Sequence, residues 1–100
     1  MSPQGYVGVL ECDLLLGDVH SLKQKRAVLR PILARLRRMQ ISASEIGYAD
    51  LHRRAGIGIA VVSGDAGTVG RVLDEVERTV AGEVEVELLG VHRRLFGPGD

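Results

Sequence analysis

The 100-residue chain contains no asparagine, no tryptophan and a single cysteine. One cysteine, Cys12, leaves no partner for an internal disulfide and agrees with a reducing compartment. With no tryptophan, and aromatics confined to Tyr6, Tyr48 and Phe96, the chain has no strand platform for stacking RNA bases. No apolar run approaches the roughly 18 residues that a membrane-spanning helix requires. The opening "MSPQG" lacks the charged segment followed by an apolar stretch that marks a signal peptide. His20, His52 and His92 are scattered without metal-ligand spacing. These absences predict a cytoplasmic protein with no membrane span, no metal and no cofactor.

What is present describes one globular domain over residues 1–100, with an ordered core of about 6–94 and a flexible tail at 96–100. Hydrophobic residues make up 45% and charged residues 26%, a balance typical of such domains. Formal charge cancels, 13 basic against 13 acidic residues, but its distribution is uneven. From His20 to Arg54 there are nine basic residues and two acids, Glu45 and Asp50. From Asp65 to His92 there are seven acids and two arginines. A molecule so divided is electrically polar, which biases its choice of partners.

Periodicity supplies the elements. "YVGVLECDLLL" (Tyr6 to Leu16) reads as a strand with Tyr6, Leu10, Cys12 and Leu14 on one face. Val7, Val9, Glu11 and Asp13 take the other. Gly8 would let a helix or a neighbouring backbone approach closely. Ser21 opens a helix with a capping box completed by Gln24. Val28, Leu29, Ile32, Leu33, Leu36 and Met39 form its apolar stripe, and Lys23, Arg26, Arg30 and Arg37 gather on an adjacent face. Pro31 removes a hydrogen bond at roughly 3 kcal/mol or more, which predicts a kink near Ala27 to Pro31. Strand 2 is expected over about Ile41 to Tyr48, and "AGIGIAVV" continues as strand 3. A second helix spans about Ala66 to Val80, with Val69, Leu73, Val76 and Val80 inward. Strand 4 starts at Val84 with Val84, Val86 and Leu88 inward and Glu85 and Glu87 outward.

The order βαββαβ predicts an α+β, ferredoxin-like two-layer sandwich: a four-stranded antiparallel sheet with two helices on one face. Strands 1 and 3 are then central. The same topology predicts that His20, Lys23, Arg26, Arg53 and Arg54 converge at one end, with Arg93 and Arg94 at the other. The acidic second helix and strand 4 occupy the opposite lateral half.

The segments "YVGVLECDLLL", "SLKQKRAVLRPILARLRR" and "SEIGYADLHRRAGIGIAVVSGD" together resemble the bacterial YlxP-like family, domain of unknown function 503, over Tyr6 to Arg94. The "SLKQKR" element is the most specific part, matching at Ser21, Leu22, Lys23, Lys25 and Arg26. The resemblance implies a ferredoxin-like fold and no established activity. Family members are encoded near translation and ribosome-maturation factors, which implies an association with RNA or the ribosome.

Function therefore turns on "SLKQKRAVLRPILARLRR", which holds seven of the 13 lysines and arginines and no acid. One reading is a solvated face. Against it, no i,i+4 acid is available to pair, and Lys23, Lys25 and Arg26 sit in the first turns, where the helix dipole disfavours cations. An anionic partner would relieve both. The expected site is thus a non-enzymatic, phosphate-contacting surface for structured RNA or a ribosomal particle, built from Lys23, Lys25, Arg26, Arg30, Arg37, Arg53 and Arg54. The other readings are a homodimeric interaction module, with Val7, Val9, Leu89 and Val91 on the sheet's open face, and a small phosphate-ligand enzyme. Acylphosphatases share the topology but need an arginine after strand 1 and a catalytic asparagine. The loop here is Gly17-Asp18-Val19-His20-Ser21, and the chain has no asparagine. No catalytic residue is expected.

Overall fold

The computed structural model describes residues 3–100; Met1 and Ser2 of the opening segment lie outside them. The elements run β1 (Tyr6–Leu16), α1 (Leu22–Arg37), β2 (Ser42–Glu45), β3 (Arg54–Ser63), α2 (Ala66–Ala81) and β4 (Val86–Phe96). The sheet order is β2-β3-β1-β4, with every neighbouring pair antiparallel. This is the expected ferredoxin-like sandwich, with β1 and β3 central.

Alternation along β1 builds the core. Leu10, Cys12, Leu14 and Leu16 are buried against the helical layer, opposite Ile57, Ile59 and Ala55 of β3 and their helical neighbours. Gly8 fulfils its expected role: an added Cβ would run into Val69 and Leu73 of α2. The helix therefore sits directly on the β1 backbone. From α2, Val69, Leu73, Val76 and Val80 are all buried. Asp65 caps that helix, its carboxylate accepting from the Thr68 amide and hydroxyl at 2.8 Å each. Those bonds, the hydroxyl first, hold the Asp65 pKa below its ordinary value.

Ser21 caps α1 as expected, its hydroxyl accepting from the Gln24 amide at 3.1 Å. The Gln24 side chain reaches back one residue further than a capping box requires, accepting from the His20 amide at 2.7 Å. Leu29, Ile32 and Leu36 are buried, with Val28, Leu33 and Met39 packed against them. The helix runs through Pro31 as one element, Leu22–Arg37. Pro31 and Ala27 are both exposed, so the hydrogen bond that the proline removes is on the solvent side of the helix and not in the core.

Three boundaries differ from expectation. β2 stops at Glu45 because Gly47 and Tyr48 take left-handed conformations, φ 68° and 53°, which turn the chain out of the ladder. β4 starts two residues late, leaving Val84 95% exposed instead of inward. It then runs to Phe96, further than the turn-rich "FGPGD" suggested, because Val7 offers that residue a partner in register. Among the described residues no helix is long and apolar enough to cross a membrane.

Cys12 behaves as a core residue. Burial, helped by the negative charge of Glu77, pushes its thiol pKa up to about 11 from 9.0. The folded state therefore holds the thiol proton more tightly than the unfolded chain. The linked stability is complete below pH 9 and is lost as pH rises toward 11. Unfolding free energy should fall by about 2–3 kcal/mol across that window. In Cys12→Ala the decline should be smaller by that amount; identical alkaline profiles from urea titrations would contradict the assignment.

Candidate nucleic-acid interface

Lys23, Arg26, Arg30 and Arg37 are all exposed and share one stripe along α1, as the periodicity predicted. The pairing of five of the eight other arginines sets this stripe apart. Arg35 meets Glu83 at 2.6 Å, Arg54 meets Asp13 at 2.8 Å, and Arg94 meets Glu11 at 3.2 Å. Arg93 meets Asp74 at 2.9 Å and Glu77 at 3.4 Å, while Arg71 lies 4.0 Å from Asp65. Among the described residues no such ion pair involves Lys23, Arg26, Arg30, Arg37, Arg38 or Arg53. Arg78 on α2 is likewise without such a pair, but α1 and its C-cap hold five of these seven cations. Arg38, exposed at the C-cap, extends the stripe; its position at the end of the arginine run was the available sequence signal. Arg37 also donates from Nε to the Ala43 carbonyl at 3.0 Å, which anchors its stem near β2.

Lys25 does not belong to this surface. It is 2% exposed and stands with Leu29, Ile32 and Leu36 on the buried side of the helix. Its ammonium donates to the Tyr48 carbonyl at 2.7 Å and the Leu51 carbonyl at 2.8 Å, and lies 3.2 Å from Glu45. Helical phase accounts for this: four residues before Leu29 and seven before Ile32, Lys25 falls in the apolar stripe. A buried ammonium requires acceptors, and the turn after β2 supplies them. Lys25 thereby ties the Tyr48–Leu51 turn to the helical layer.

Arg54 is the second correction. Its register next to Leu15 places it on the open face of the sheet, although it still borders the groove that holds His20 and Arg53. There Nη2 donates to both Asp13 oxygens at 2.8 Å and to the Tyr48 hydroxyl at 3.0 Å. The guanidinium also lies 4.7 Å from the Tyr48 ring centroid. The Asp13 hydrogen bond holds the Arg54 pKa above its ordinary value. Arg53 stays with the expected end: it is exposed, donates from Nε to the Leu16 carbonyl at 3.1 Å, and lines a groove with His20 and His52. Arg26 borders a different hollow, shared with Leu22, Glu45 and Ala49.

The acids are also redistributed. The acids of the open sheet face are partly neutralised, because Glu11 and Asp13 are held by Arg94 and Arg54. The acidic half does not turn wholly away from α1 either, since Glu83, after α2, reaches Arg35. Among the described residues no group of three histidine, cysteine or acidic side chains is placed to hold a metal.

Comparison with known proteins agrees with this architecture. A designed protein, Foldit4, matches 91% of this chain over 96% of its own, with a TM-score of 0.53 at 14% identity, a likeness of fold alone. The uncharacterized protein YlxP of Bacillus subtilis (strain 168) is 48% identical over 58 residues, covering 57% of this chain and 63% of the relative's length. The model of a family described as "Protein of unknown function (DUF503)" matches residues 7–93. The chain thus belongs to the YlxP-like DUF503 family.

Proposed function

We propose that this protein is a non-enzymatic module that docks on the phosphates of structured RNA, with ribosomal particles as its target. The observation that carries the reading is the contrast in pairing: the cations of the α1 stripe lack carboxylate partners, while five arginines elsewhere have them. Lys23, Arg26, Arg30 and Arg37 make the contact, with Arg38 and Arg53 at its two ends. The site reads shape and charge and does not stack bases, as the scarcity of aromatics requires.

Binding should respond steeply to salt. Contact with about four duplex phosphates gives a slope of roughly −3 to −4 in log K against log salt. Arg26→Glu with Arg30→Glu should weaken binding and flatten that slope while preserving the fold, because both side chains are exposed. Arg71→Glu with Arg78→Glu, on α2, should matter less. The measurement is co-sedimentation with ribosomal particles, and binding to duplex RNA, across a salt series. If the α1 variant binds like wild type, or if binding ignores salt, the stripe is only solvated and the proposal fails.

A further inference from the structure

The open face of the sheet has two unlike ends. At one end Val62, Val7 and Phe96 stand side by side in a single cross-strand row, 71%, 37% and 41% exposed. At the other end the corresponding row is Gly56, Asp13 and Gly90. Ile46 lies over Gly56, but Gly90 faces open space, and a hollow of about 630 Å³ remains there, walled by Ile46, Tyr48 and His92. The two rows are six residues apart along β1, about 20 Å. An apolar ridge and a matching hollow on one face cannot meet within one molecule. They do meet between two molecules related by a two-fold axis that lies in the interface and crosses the strands.

We infer that this face is the seat of a second copy of the same chain, packed with its strands reversed. The two-fold axis sets Phe96 over Gly90 of the other copy and Val62 over the Ile46–Tyr48 wall beside Gly56, and the converse contacts follow by symmetry. Between the ends, the row of Val9 and Arg94 meets the row of Glu11 and His92. Each Arg94 then lies within reach of the opposing Glu11, so the centre of the face carries its own counter-charge. The molecule measures 54 × 22 × 20 Å, and its long face is large enough for the roughly 800 Å² per partner that a stable interface buries. The expected patch changes accordingly: Val7 and Val9 belong to it, while Val91 stands opposite Cys12 on the other side of the sheet. Because α1 lies across the molecule, the dimer leaves both basic stripes uncovered, and the inference is independent of RNA binding.

The test is sedimentation velocity of the full chain over a wide concentration range. Wild type should sediment at twice the mass of one chain. An added Cβ at Gly90 meets nothing within 4 Å, so Gly90→Trp can project its ring into the hollow. Gly90→Trp and Phe96→Asp should each raise the dimer dissociation constant by roughly 30-fold or more, as loss of a central anchor does. Their circular dichroism should match wild type. Register is tested by oxidation: a mixture of Phe96→Cys and Gly90→Cys chains should form the mixed disulfide, and Phe96→Cys alone should not cross-link. Buried Cys12 does not compete. A monomeric wild type, dimers that survive both substitutions, or self-cross-linking of Phe96→Cys would each overturn the inference.

Discussion

Lys25→Met is expected to cost about 2–3 kcal/mol of stability, although it exchanges one straight side chain for another of similar length. The methionine fills the apolar space but donates nothing. The Leu51 carbonyl loses its ammonium donor, and the Tyr48 carbonyl keeps only the Leu51 amide at 3.1 Å. Glu45 loses its cation but is 34% exposed and can turn to water, so Glu45→Gln should cost less than about 1 kcal/mol. Arg26→Met, one residue on and exposed, should stay within about 0.5 kcal/mol of wild type. For a domain of this size the Lys25 variant should melt roughly 10–20 °C lower. Thermal and urea unfolding of the three variants decide the matter: equal stabilities for Lys25→Met and Arg26→Met would show that the buried ammonium contributes nothing. RNA binding adds a second readout. Where Lys25→Met remains folded, its salt slope should equal that of wild type, because the ammonium faces the turn and not the solvent.

This residue also shows where sequence reasoning ends. The helical repeat placed Leu29, Ile32 and Leu36 correctly, and the same repeat puts Lys25 among them. Residue type argued the other way, since a lysine in a basic run is ordinarily solvated. Its acceptors are backbone carbonyls of a turn more than twenty residues ahead, which no local pattern announces. Arg54 poses the same problem in the sheet: its partnership with Asp13 follows from the β1–β3 register. The element order, the two apolar helix stripes and the close approach at Gly8 were legible because each depends on a short-range repeat or on one missing side chain. The end of β2 was not, because Tyr48 adopts φ 53° without being glycine, asparagine or aspartate. The charge division was legible in outline. The pairing that leaves most of the unpaired charge on α1 depends on contacts across the sheet and between the layers.

Gly56 and Gly90 provide a matched comparison, because they flank Asp13 in one row of the open face. Neither is needed for a left-handed backbone. Their surroundings differ. A Cβ on Gly56 would collide with the Ile46 carbonyl oxygen, whereas one on Gly90 meets open space. The Ile46 backbone cannot simply step aside, because its amide donates to the Gly56 carbonyl at 2.8 Å. Moving it breaks that bond. It also drags Tyr48, whose hydroxyl donates to Asp13 at 3.2 Å and whose carbonyl is held by Lys25. Gly56→Ala should therefore destabilise the fold by about 2–3 kcal/mol. Gly90→Ala should leave stability unchanged or raise it by about 0.5–1 kcal/mol, the usual gain from removing a strand glycine. Urea titrations at low protein concentration keep self-association out of the comparison. Two alanine variants of equal stability would mean that the segment after β2 does not lie over Gly56, and the wall of the open-face hollow would have to be placed elsewhere.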